Sequence, residues 1–358
     1  MRIASVEVIP YALPFREPYV SSTGRLEQRE MVLLRLRTEE GLVGLGEAVP
    51  LSLRGGATLE RVVEELRRLA ELRQLAEGDL LDEPSLVSRA FELSPPARCA
   101  ALTALMDLRG RLALTAGGSN GEECQPLVCN ATLVAGEPTA VAEDALRWAE
   151  EGFSTFKLKL GTGDDVGQVR AVREAVGAEA RIRVDANAAW SLEIAKRTLA
   201  ELEPYSIELA EQPAATLEEL AELSLSTSIP IAADESVATL EQAEWAATIG
   251  ACSYTGIKLS KVGGPEHAVE IADILPAYVS SALDGPVGIA AAAQVAQTLH
   301  DSDRPERLDL AHGLATQRLF ASTIAAVECE LRDGMLHPPE GPGLGVEIDE
   351  AALDAHRL

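Results

Sequence analysis

Five short segments decide the fold: TFKLKLG (155–161), RIRVDANAAW (181–190), IELAEQP (207–213), IAADES (231–236) and TGIKLSKVGG (255–264). Each is a short apolar run with charge at its end, the form of a buried strand tipped by functional residues. Taking one charge from each, the steps run 159 to 185 (26 residues), 185 to 211 (26), 211 to 234 (23) and 234 to 258 (24). Such regular steps predict a repeated strand–helix unit with each charge at the same end of its strand. In a parallel α/β barrel that end is the C-terminal mouth, where side chains from different strands converge. Lys157 and Lys159 are two apart and so face the same side of a strand. Two lysines in mid-barrel would be costly, which favours a place at the mouth.

Three of the converging groups are carboxylates: Asp185, Glu211 and Asp234. Brought together they repel and resist full ionisation. A divalent cation removes that conflict, and hard oxygen ligands suit Mg²⁺, with Mn²⁺ as a substitute. Lysines flanking such a centre are expected to have depressed pKa values, which suits them to proton transfer. Metal and lysine together can remove a proton α to a carboxylate and stabilise the resulting enediolate. Lys159 and Lys258 fall on strands four apart, opposite each other in an eight-strand ring. Glu235 follows Asp234 directly and is expected to face the other way, supporting the ligands from behind. Lys261 reads as part of the following loop. Ser280 and Ser281, at the end of a later strand, are candidates for binding a substrate carboxylate, with ordinary capping as the other reading. Asn187, two past Asp185, is a further candidate substrate contact. His312 reads as a structural histidine, and Asp107 and Arg109 as structural residues of a buried helix.

At 358 residues the chain exceeds what one core usually fills, so a barrel of about 200–250 residues plus a smaller domain is expected. Apolar content of 47% and charged content of 25% argue for a globular protein without long disorder. No apolar run approaches a membrane span of roughly 20 residues. The N-terminus, MRIASVEVIPYALPF, alternates like a strand rather than a signal peptide, so a cytoplasmic location is expected. A net charge of −26 argues against nucleic acid or an anionic membrane as partner. It allows a small carboxylate substrate, because a metal and lysines set the local field. Five scattered cysteines without CxxC suit a reducing compartment. GTGDDVG (161–167) lacks the dinucleotide pattern, and no GxSxG elbow occurs. Nothing in the sequence selects an oligomeric state, and a homo-oligomer is allowed.

Residues 1–50 read as a hairpin or meander, interrupted by EPYVSSTGRLEQ (17–28), a surface loop or lid. VPLSLRGGAT (49–58) is a second irregular stretch with a Gly-Gly hinge able to close over substrate. Residues 58–115 are helical, and TAGGSNGEECQP (115–126) makes a domain boundary. Strands follow near 130, 157, 183, 209, 232, 256, 280 and 310. The expected division is a cap at 1–120, a barrel at 121–319 and a tail at 320–358 that returns to the cap.

The motifs KLKLG, RVDANAAW, ELAEQP, IAADES and GIKLSKVGG resemble those of the enolase superfamily, in its muconate-lactonizing-enzyme subgroup. The resemblance covers nearly the whole chain. It implies a modified TIM (β/α) barrel with an α+β capping domain built from both ends. It further implies Mg²⁺ on Asp185, Glu211 and Asp234, with Lys159 and Lys258 as the acid/base pair. Lys157 would tune Lys159 and touch the bound carboxylate. The stretches 17–28 and 49–58 match the specificity loops of the cap. YVSSALDGPVGIAAAAQVAQTL and LDLAHGLATQRLFAS are similar to the o-succinylbenzoate synthase branch, which dehydrates 2-succinyl-6-hydroxy-2,4-cyclohexadiene-1-carboxylate in menaquinone synthesis. The alternatives are an N-succinylamino acid racemase, a bifunctional synthase/racemase and a muconate cycloisomerase. Dipeptide epimerases of the subgroup carry an Asp-x-Asp pair on a late strand. The matching strand here reads Ser280-Ser281-Ala282-Leu283-Asp284, without that pair.

Overall fold

The computed structural model describes residues 1–22, 24–52, 55–72, 83–115, 124–300 and 310–358. The chain begins with an antiparallel sheet of β1 (Ile3–Ser21), β2 (Gly24–Thr38) and β3 (Val43–Ala48). The stretch 17–28, expected as a loop, is instead the far end of the β1–β2 hairpin, with Tyr19 opposite Leu26 and Ser21 opposite Gly24. Its polar composition misled, because an outer strand surface is polar too. Helices α1 (Leu59–Leu72), α2 (Glu83–Ala90) and α3 (Pro95–Thr115) cover the sheet. β3 and α3 lie in near-backbone contact: a Cβ at Gly46 would stand 1.9 Å from the Ala100 carbonyl oxygen, and one at Gly44 2.3 Å from that of Ala104. Val32, Leu34 and Leu36 from one face of β2 join Leu66, Ala100 and Leu105 in the core of this cap.

The expected boundary at 120 and much of the segment 115–126 lie outside the described residues. Beyond them the predicted first strand is split. β4 (Leu127–Val128) is separated from β5 (Ala131–Leu133), and the strand–helix rhythm then runs regularly. It comprises α4 (Pro138–Glu150), β6 (Thr155–Lys159), α5 (Asp165–Val176), β7 (Arg181–Asp185), α6 (Leu192–Leu202), β8 (Ile207–Glu211) and α7 (Leu217–Ser224). β9 (Ile231–Ala233), α8 (Leu240–Ile249), β10 (Tyr254–Ile257), α9 (Leu259–Val262), α10 (Pro265–Ile274), β11 (Ala277–Val279) and α11 (Pro286–His300) complete it. Capping sets several helix starts: Thr216 and Thr239 form capping boxes with Glu219 and Gln242, each satisfying exposed N–H groups at both positions.

Strands β5 to β11 form one seven-stranded sheet in sequence order, paired in parallel. The eighth position is a strip of single bridges rather than a strand among the described residues. His312 accepts from Asn130 N (2.9 Å) and donates to Val128 O (2.8 Å) through its backbone, while Gly313 N donates to Val279 O (2.8 Å). These bonds join β11 back to the β4–β5 segment and close the ring.

The tail adds β12 (Ala325–Val327), β13 (Glu330–Arg332), β14 (Met335–His337), β15 (Glu347–Ile348) and α12 (Glu350–His356). β13 and β14 extend from β4 in a small antiparallel sheet, so part of the tail belongs to the barrel side. The rest returns to the cap: Arg35 pairs with Glu350 at 2.7 Å, and Leu358 N donates to Pro10 O at 3.1 Å. No helix among the described residues is long and apolar enough to cross a membrane.

Candidate active site

On β6 every residue is buried. Phe156 and Leu158 belong to the main core, whereas Lys157 and Lys159 line a cavity at the mouth. In-register pairing sets Lys159 beside Asp185 and Asp185 beside Glu211. Asp234 follows β9, one residue past Ala233, and Lys258 follows β10 as the first residue of the turn into α9. Lys159, Asp185 and Glu211 are thus direct ladder partners, whereas Asp234 stands two residues past Ala232, the partner of Glu211, and Lys258 three past Thr255, the partner of Ala233. The groups step along the strand ends and meet at the mouth through their side chains.

Each carboxylate faces an ammonium. Lys157 Nζ donates to Glu211 Oε1 (2.6 Å) and Oε2 (2.5 Å) and lies 2.9 Å from Asp185 Oδ2. Lys159 Nζ donates to Asp185 Oδ2 (2.5 Å) and Asn187 Oδ1 (3.1 Å). Lys258 donates to Asp234 Oδ2. Asp185, Glu211 and Asp234 are 0%, 1% and 0% exposed, so their charges stand only because cations compensate them. Burial opposes ionisation of Asp185, but Lys157 and Lys159 outweigh it and hold that carboxyl below its usual range. Burial, reinforced by Asp185, raises Glu211. With the three carboxylates free to pair with it, Lys157 is not depressed. Burial works against its charge, yet Asp185 and then Glu211 keep it above the ordinary value.

Lys261, expected in a loop, is in α9, and its ammonium donates to the Asp234 carbonyl, to Asp234 Oδ1 (2.9 Å) and to Gly256 O (3.0 Å). Burial pulls it below its ordinary value. Spacing held the signal, since one helical turn after Lys258 returns the chain to the same face. Glu235 was expected to point away, but β9 stops at Ala233, so strand alternation no longer applies. Glu235 lines the cavity and accepts from Asn187 Nδ2 at 3.1 Å. Asn187 thus ties Lys159 to Glu235 and is not itself part of the cavity wall.

Ser280 and Ser281 both line the cavity. The Ser281 hydroxyl also donates to Asp284 Oδ2 (2.7 Å) and accepts from Asp284 N (2.8 Å), which fixes the turn before α11. His312 is buried, with Nδ1 accepting from Val279 N (3.1 Å) and Nε2 2.9 Å from His300 Nε2; burial pushes it down to about 3.

Two framework residues escaped the sequence reading. Gln212 is fully buried with φ 39°. Its Oε1 accepts from Asp234 N (2.7 Å) and Ser236 Oγ (3.0 Å), and its carbonyl accepts from Ala188 N (2.8 Å). It ties together the turns that carry Asp185, Glu211 and Asp234. Tyr278, on β11, donates its hydroxyl to Glu211 Oε2 from inside the barrel.

The cavity above these groups measures about 310 Å³. The cap supplies Tyr19, Ser21, Leu26, Arg29, Pro50, Leu51 and Gly56, and the barrel supplies the lysines, Thr132, Ala282, Leu283 and Thr316. The hairpin leans onto the barrel, where Ser22 Oγ donates to Ala186 O at 3.1 Å.

Among the described residues no three acids already stand as a cation cluster. The donor set nonetheless fits Mg²⁺: three buried carboxylates at the ends of adjacent strands, all hard oxygen.

A closed α/β barrel with this charged mouth and an α+β cap defines an enzyme scaffold, and two family models match it. Residues 3–116 match the mandelate racemase / muconate lactonizing enzyme N-terminal domain, and residues 140–352 the enolase C-terminal domain-like family. The chain belongs to the enolase superfamily, in its muconate-lactonizing-enzyme subgroup. It is 37% identical over 234 residues to an o-succinylbenzoate synthase of Thermobifida fusca, covering 63% of this chain and 68% of that one. The structure of muconate lactonizing enzyme from Pseudomonas fluorescens, complexed with muconolactone, superposes with a TM-score of 0.89 at 28% identity, covering 100% and 99% of the two chains. That of a dipeptide epimerase from Enterococcus faecalis, complexed with Mg and the dipeptide L-Leu-L-Tyr, gives 0.84 at 28% identity, covering 97% and 100%.

Proposed function

We propose that this chain is an Mg²⁺-dependent o-succinylbenzoate synthase. The observation that carries the reading is the charge of the cavity wall. Its lining carries five basic side chains, Arg29, Lys157, Lys159, Lys258 and Lys261, against one acid, Glu235, and Mg²⁺ would take up the carboxylates behind them that now pair with the lysines. That wall suits a dianion with an apolar body and offers little to an ammonium. Asp284, the acid in the turn after β11, is bound within its own loop by Ser281 Oγ and by Ala282 N at 2.6 Å. Both facts weigh against a dipeptide. Among dianions, the synthase is favoured by the late-strand sequence and by the similarity to the Thermobifida fusca enzyme.

Asp185, Glu211 and Asp234 would hold the metal. When bound, Mg²⁺ supplies positive charge to the substrate carboxylate and so stabilises the enediolate that forms on loss of the α-proton. Lys159 takes that proton on its neutral amine. The resulting ammonium returns it to the departing hydroxyl, which leaves as water, so proton and electron pair balance. Lys258, four strands away in the ring order, sets a cation against the opposite face. Lys157 steadies the carboxylate between Lys159 and Glu211. Arg29 and Ser280, both in the cavity wall, would meet the second carboxylate, whereas the one hydroxyl proton of Ser281 is already given to Asp284.

A second reading has one observation in its favour. Lysines on opposite sides of the ring suit two-base racemisation of an N-succinylamino acid. One experiment separates the two: turnover of 2-succinyl-6-hydroxy-2,4-cyclohexadiene-1-carboxylate with Mg²⁺, beside α-proton exchange of N-succinylamino acids in D₂O. Fast dehydration with slow exchange is the expected result. Exchange without dehydration would make the chain a racemase, and efficient turnover of both a bifunctional enzyme.

A further inference from the structure

Below the charged mouth the barrel interior holds a small cluster of its own, Leu209, Ala232, Tyr278 and Leu310. Tyr278 is fully buried, and its hydroxyl donates to Glu211 Oε2, while Lys157 meets both oxygens from the mouth, Oε1 at 2.6 Å and Oε2 at 2.5 Å. The ring is held from two sides. Arg183 places its guanidinium carbon 5.1 Å from the ring centroid. That guanidinium is itself fixed by Glu208 and by Ala311 O at 2.6 Å. On β10, Gly256 leaves the space the phenol fills: a Cβ there would stand 3.2 Å from the hydroxyl oxygen and 3.3 Å from the carbon bearing it.

We infer that Tyr278 is a positioning residue for the metal site, one that fixes the rotation of the Glu211 carboxylate from inside the barrel. The inference rests on the reading of Glu211 as a metal ligand. A carboxylate free to rotate offers the cation many orientations, whereas one whose Oε2 is pinned by a phenol is held in a single rotation with Oε1 turned to the mouth. Partners of this kind behind a ligand typically contribute about 10–100-fold in metal affinity. Tyr278 is not part of the cavity wall, so its effect should appear in ion binding rather than in the chemical step. Gly256 belongs to the same device, because a side chain there would crowd the phenol and shift it by a few tenths of an ångström.

The test is Mg²⁺ titration by calorimetry of the substrate-free full-length protein, comparing wild type, Asp185→Asn, Tyr278→Phe and Gly256→Ala. Tyr278→Phe keeps the ring against Arg183 and removes only the hydroxyl. Its Mg²⁺ Kd is expected to rise about tenfold, with turnover restored by excess Mg²⁺ and kcat then near that of wild type. Gly256→Ala should weaken Mg²⁺ in the same direction through displacement of the ring. An unchanged Kd in Tyr278→Phe, with wild type binding and Asp185→Asn not, overturns the inference alone. Absence of Mg²⁺ binding to wild type, or undiminished binding to Asp185→Asn, overturns the metal reading and the inference with it.

Discussion

Lys258 is the residue on which the two candidate chemistries differ. Its ammonium sits at the end of β10 against Asp234 Oδ2. As a spectator cation it needs only its charge, which arginine also carries. As a base it must lose a proton, which a guanidinium does not do in a protein. Lys258→Arg should therefore keep a measurable fraction of dehydration while abolishing α-proton exchange through that face. Retained racemisation in this variant would show that Lys258 is not the second base. Asp185 and Glu211 raise the pKa of Lys157 against the cost of burial.

Among elements, the seam between β3 and α11 joins cap to barrel. Glu47 on β3 accepts from Tyr11 Oη (2.9 Å) and from Gly285 N (2.7 Å), at the start of α11. Burial, then the nearby Asp284, pushes Glu47 from 4.5 up to about 8. Burial raises Asp284 as well. An acid raised on folding makes the folded state bind more protons than the unfolded chain, so stability falls as pH rises across the window between the two values. For Glu47 that window is 4.5 to about 8. Glu47→Gln, which keeps the acceptor and removes the titration, should flatten the fall of Tm with pH over this range. A pH profile identical to that of wild type would rule Glu47 out as its source. The seam bears on substrate because Ala282 and Leu283, just before α11, form part of the cavity wall.

For the molecule as a whole, a net charge of −26 means self-repulsion in the folded state, which salt screens between charges more than about 10 Å apart at 0.1 M. Tm should rise with NaCl at neutral pH. A fall would mean that surface ion pairs such as Lys196–Glu222 and Arg318–Glu151 outweigh the repulsion. The buried pairs of the mouth are screened less, so the active-site lysines should respond weakly to the same salt.

The sequence by itself determined the strand–helix rhythm and the residues at its strand ends. A buried parallel strand must be apolar, so a charge there stands out, and a fixed repeat length brings each charge to the same end of its strand. It could not determine which neighbours share a site when regular geometry breaks down. Glu235 reached the cavity because β9 ends one residue early. Lys261 entered through a single turn of helix, and the hairpin at 17–28 hid behind loop-like composition. Gln212 and Tyr278 looked like ordinary loop and core residues. Only the closed ring places a β11 phenol beneath a β8 carboxylate, 67 residues apart in sequence. Local periodicity reports burial, but hydrogen bonds across a barrel depend on closure, and closure belongs to the tertiary structure.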